Sequence, residues 1–115
     1  MMAASVAVGM MCSSGGAEAG QYKSGNNVLE VCEGREASFN KGACYGYITG
    51  VVDTYERDRL VANKELCVRD EVSLGQIVEV VIESLRQHPQ NRDYIGAYLA
   101  ITAIEEAFCS KDKLS

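Results

Sequence analysis

Hydrophobic positions recur every three or four residues from 44 to 55. Cys44, Tyr47, Ile48, Val51, Val52 and Tyr55 fall on one face of a helix predicted from about Ala43 to about Leu60. Gly46 and Gly50 lie four apart in it, and each costs about 1 kcal/mol relative to Ala in a helix interior. The expectation is that another backbone, that of the fourth helix, packs close against them. The run Glu56-Arg57-Asp58-Arg59 then turns charged and reads as a solvated end. Upstream, Ser24-Gly25-Asn26-Asn27 supplies caps for a short helix over Val28 to Glu33, stopped by Gly34. Glu36 to Phe39 forms a turn or extends the second helix backwards.

Ser73-Leu74-Gly75-Gln76 has the form of a capping box and opens a third helix. Its stripe is Leu74, Ile77, Val78, Val81, Ile82 and Leu85, with Glu79, Glu83 and Arg86 facing away. Pro89 ends it near Gln87 or His88. A wholly polar connection, His88 to Asp93, leads to a fourth helix from about Arg92 to Phe108. That helix is apolar on nearly every side, the pattern of an element in the middle of a core. No segment alternates as a strand does over five residues. The fold class is therefore all-α, a small up-down bundle of about four helices.

Composition narrows the function classes. The 115-residue chain has room for one domain, and its net charge of −5 comes with no basic run able to track a phosphate backbone. Nucleic acid is not an expected partner. The apolar run Met1 to Met11 is too short for a bilayer, which needs about 20 residues. With the small residues after it and Ala17-Glu18-Ala19, it resembles a secretory signal peptide over residues 1–19, though without a basic start. The exported chain would be a single domain over 20–115. A lipid anchor at Cys12 and a small-residue tail on a cytosolic protein are the alternatives.

Export changes the meaning of the cysteines. Without Cys12 four remain, Cys32, Cys44, Cys67 and Cys109, and none forms the C-x-x-C spacing of a zinc or redox site. Up-down topology puts Cys32 and Cys44 at one end of the bundle and Cys67 and Cys109 at the other. Either remaining connectivity spans a helix about 25 Å long, whereas a disulfide tolerates Cα separations of about 4.4–6.8 Å. The selected pairing is Cys32–Cys44 with Cys67–Cys109. The alternative is four buried free thiols in a reducing compartment.

Candidate chemistry is sparse. The single histidine, His88, stands beside a proline in a polar connection, and Asp53 lies near an apolar stripe without a partner base or nucleophile. The expectations are no catalytic residues, no metal and no cofactor.

The ordered motifs carry a resemblance. Cys44-Tyr45-Gly46-Tyr47-Ile48-Thr49-Gly50-Val51-Val52-Asp53 resembles the C-x-G-Y-I-x-G-x-x-D core of the Rap/Tai family of periplasmic immunity proteins. Leu29 to Cys32, Val72 to Ile77 with Val80-Val81, Leu85 with His88-Pro89, and Ala107-Phe108-Cys109 keep the same order, from about Ser24 to Cys109. Val68-Arg69 stands where the family often has a proline, and no proline separates Phe108 from Cys109. The resemblance implies a non-enzymatic helical protein, often dimeric, that binds a cell-wall amidase toxin delivered by type VI secretion and blocks its cleft. Gln87, His88, Gln90, Asn91 and Arg92, in the polar connection, are the candidate partner-binding residues. The alternative for that connection is an ordinary link between helices. For the whole chain, the other candidates are an acid-stress chaperone of the periplasm or an envelope scaffold.

Overall fold

Two serines set the helix starts that the sequence marks most clearly. Ser24 Oγ accepts from Asn27 N at 3.2 Å while Asn27 Oδ1 accepts from Ser24 N at 3.1 Å. Ser73 and Gln76 repeat the exchange at 3.1 and 3.2 Å. Each box satisfies two helix-end groups and contributes about 1 kcal/mol.

The computed structural model describes residues 22–34 and 37–109. The expected signal peptide, over residues 1–19, lies outside them. The elements are α1 (Gly25–Glu33), α2 (Ala37–Val61), α3 (Leu74–Gln87), a 3-10 turn (Pro89–Asn91), α4 (Gly96–Ile104) and a π turn (Glu105–Cys109). There is no strand among the described residues, and each helix touches the other three. No helix of the described residues is long and apolar enough to cross a membrane.

The core follows the stripes. Val28 and Leu29 of α1, Cys44, Ile48 and Val51 of α2, and Ile77, Val78, Val81 and Leu85 of α3 are buried together with Ala100, Ala103 and Ile104 of α4. Both disulfides have the pairing that the topology selects, with Cα separations of 4.8 Å for Cys32–Cys44 and 5.1 Å for Cys67–Cys109. Closing these loops stabilises the fold by about 3 and about 4 kcal/mol on the chain-entropy scale. The second bridge has polar support. Glu56 Oε2 accepts from Val68 N at 2.8 Å and Glu56 Oε1 from Cys67 N at 2.8 Å, while Arg59 Nε donates to Glu65 O at 2.7 Å.

The expectation for Gly46 and Gly50 is overturned. Both are exposed, and a Cβ on either meets nothing within 4 Å. The cause is angular. At about 100° per residue, Gly46 lies some 200° from Cys44 and from Ile48, on the side away from the core. Close packing occurs instead at Gly25 and Gly96, where a Cβ would meet Leu99 and Val28 respectively.

The same crossing explains where α4 begins. Gly25 N donates to Tyr94 O at 2.9 Å, Asn26 N to Arg92 O at 2.8 Å, and Gly96 N to Lys23 O at 2.7 Å. The first amides of α1, which lack partners inside their helix, are thus satisfied by carbonyls of residues 92–94. With those carbonyls turned outward, and Ile95 at φ −59°, ψ 125°, α4 starts at Gly96 rather than at Arg92. Nor is α4 enclosed on every side: Ala100, Ala103 and Ile104 are buried, but Tyr98 is exposed.

Candidate functional site

The α3–α4 connection folds on its own backbone. Asn91 N donates to His88 O at 3.0 Å and Tyr94 N to Asn91 O at 3.0 Å, closing successive tight turns. Pro89, at the first position of the 3-10 turn, loses no hydrogen bond there. Of the sequence-predicted contact residues, Gln87, His88 and Gln90 are exposed, and Asn91 and Arg92 are half-buried. Gln87 Nε2 donates to Glu83 Oε2 at 2.7 Å, within α3. Arg92 is less available than the sequence implies. Its carbonyl is taken by Asn26 N, and its Nε is buried without a hydrogen-bond partner.

Two unlike surfaces flank the turn. On one side Ser84, Leu85 and His88 of α3, Asn91 of the turn, Leu99 and Thr102 of α4, and Glu106 of the π turn line a notch of about 150 Å³. His88 Nδ1 lies 2.8 Å from Ser84 O, and Thr102 Oγ1 lies 3.0 Å from Tyr98 O. Adjacent acidic residues part company in the π turn. Glu105 Oε2 accepts from Tyr55 Oη at 2.8 Å, beside the Cys67–Cys109 bridge, while Glu106 lines the notch.

On the other side Tyr22, Asp93, Tyr94, Ile95 and Tyr98 surround a shallow depression of about 370 Å³. Tyr22 is 56% exposed, Tyr94 54%, Ile95 44% and Tyr98 62%. Single exposed apolar residues need no explanation, but a contiguous group of four is a candidate contact surface. Tyrosine suits such a role because it offers a rigid apolar ring with a polar tip.

Sequence reasoning placed the candidate contact in the turn and singled out neither flank. The signal for the tyrosine surface was present in the all-round apolarity of residues 94–104. In a bundle of four helices every helix has an outer side, so apolar residues on all sides must include exposed ones. Nothing in the sequence marked Thr102 and Glu106.

The described residues contain no group of three His, Cys, Asp or Glu side chains able to hold a metal ion. Asp53 is exposed on α2. The phenols with shifted acidity belong to packing. Burial raises the Tyr47 hydroxyl above the ordinary tyrosine value. Burial, then the hydrogen bond to Glu105, raises Tyr55 against the opposing pull of Arg59.

The family model described as Rap1a immunity proteins matches residues 24–109. That span runs from the N-cap of α1 to the last bridged cysteine and contains every helix, the turn and both disulfides. No curated protein and no solved structure matches the chain.

Proposed function

The chain belongs to the Rap1a immunity protein family, and from that premise we propose that it binds and neutralises a cell-wall amidase effector in the periplasm. The effector would be one delivered by type VI secretion, and no catalytic step by this chain is involved. Protection comes from occupying the enzyme's cleft with the turn around His88, Gln90 and Asn91, while the tyrosine surface supplies contact area beside it.

The observation that carries this reading is the family match over all four helices. The two bridges support an oxidising compartment, where disulfides persist. The exposed Tyr22, Tyr94, Ile95 and Tyr98 support a protein partner, because buried aromatic anchors dominate the energetics of interfaces. The turn supports the cleft-blocking role, since it is short, closed by its own hydrogen bonds and therefore loses little entropy on binding.

The test is protection. A panel of cell-wall amidase effectors is directed to the periplasm of a sensitive bacterium, with and without this chain. Survival restored against at least one enzyme, and lost again in Tyr98→Ala, is the expected result. Truncation of an anchor of this type costs about 2 kcal/mol, or about thirtyfold in affinity. Undiminished killing by every enzyme, with the chain folded and present in the periplasm, overturns the proposal.

A further inference from the structure

Three side chains of the notch beside the turn, those of His88, Thr102 and Glu106, present acceptors to it. His88 Nδ1 sits 2.8 Å from Ser84 O. A carbonyl oxygen only accepts, so this nitrogen carries the ring proton, and Nε2 of the neutral imidazole is left as an acceptor. Thr102 Oγ1, 3.0 Å from Tyr98 O, spends its proton in the same way and keeps its lone pairs. The Glu106 carboxylate makes no hydrogen bond or ion pair with any described residue. Among the described residues no lysine or arginine lines the notch. Beside the donors of Ser84 and Asn91, its polar wall thus offers three acceptor groups and one negative charge, on the exposed Glu106.

Size limits what fits. A volume of about 150 Å³ corresponds to a sphere about 7 Å across, against the roughly 10–12 Å diameter of a helix with its side chains. The notch takes one side chain, not a secondary-structure element. A guanidinium meets the requirement best, because its planar fork offers five N–H donors and a charge that is never lost.

We propose that the notch receives a single arginine side chain of the partner protein. Its cation lies against Glu106, and its N–H groups are shared by His88 Nε2 and Thr102 Oγ1. The proposal rests on the turn being the surface that meets the effector, and it adds the chemistry of one of the effector's contact residues.

The probe is a displayed library of random decapeptides, selected in parallel on the intact protein and on Glu106→Gln. The expected result is arginine enrichment on the intact protein that disappears on Glu106→Gln, while enrichment of apolar residues persists on both. An arginine-bearing peptide from the first selection should bind the variant about tenfold more weakly, as for loss of a hydrogen bond to a charged group. No arginine enrichment on the intact protein, or equal enrichment on both proteins, overturns the inference. So does enrichment that appears only after the chain is cut back to Ser110, which would assign the notch to the chain's own Lys111 or Lys113. Protection from an amidase separates this inference from the functional reading. Protection equally strong in Glu106→Gln leaves that reading standing and overturns the arginine site. Arginine selection without protection from any amidase does the reverse.

Discussion

A methyl group added at Gly96 meets Val28 Cγ2 at 2.6 Å and the carbonyl oxygens of Lys23 and Ser24 at 2.9 and 3.0 Å. Two of those three neighbours are backbone held by hydrogen bonds, so they cannot step aside cheaply. Gly96→Ala should lower stability by about 1–3 kcal/mol, the usual cost of overpacking, as read by urea denaturation. Gly46 and Gly50 behave in the opposite sense. Their added methyls enter open space, so Gly46→Ala and Gly50→Ala should each stabilise the fold by about 1 kcal/mol. A rise in melting temperature for both is the expected outcome, and a fall would show that something covers this face. The contrast explains why glycines resist interpretation from sequence. The cost of a glycine inside a helix is visible locally, but its reason is the position of a neighbour far along the chain.

At the scale of elements, legibility follows the range of the interaction that sets each boundary. The starts of α1 and α3 were readable because the cap and its partner, Ser24 with Asn27 and Ser73 with Gln76, stand three residues apart. The start of α4 was not, because residues 92–95 are shaped by amides of α1. Glu106 escaped for a related reason: the extra residue in the π turn rotates the side chains beyond Ile104 out of helical register, and apolar periodicity does not report it. The far half of α2 offers a prediction of its own. The Tyr55 hydroxyl, half-buried and bonded to Glu105 with Arg59 alongside, has its pKa raised in the fold. The unfolded chain therefore releases this proton first. Stability is unaffected well below the ordinary tyrosine value and falls as pH rises through it towards the raised folded value. Alkaline denaturation should begin earlier in the wild type than in Tyr55→Phe, which has no proton to lose. Glu56→Ala should cost about 1–3 kcal/mol, because it leaves the amides of Cys67 and Val68 without their acceptor.

For the whole molecule, the division between what holds the fold and the surface proposed to meet a partner is spatial. The Glu56, Arg59 and Tyr55 contacts and the Cys67–Cys109 bridge tie the far half of α2 to the α2–α3 loop and the π turn after α4. The α3–α4 turn, with the notch and the tyrosine surface on its flanks, is held by α1. Replacing Tyr98, which is largely exposed, should therefore leave the melting temperature within a few degrees of wild type while reducing partner affinity. A titration calorimetry series beside thermal melts separates the two effects. Reduction of both disulfides should do the reverse, lowering stability by several kcal/mol.

The hydrogen bonds that join Lys23 and the first amides of α1 to residues 92–96 also fix when the tyrosine surface comes into existence. Tyr22 belongs to the beginning of the described chain, and Tyr94, Ile95 and Tyr98 to its last helix and the residues just before it. Neither group makes the surface without the other. A partly synthesised chain therefore presents no complete tyrosine surface, and on the proposed function the amount of effector captured by a preparation should report its native fraction.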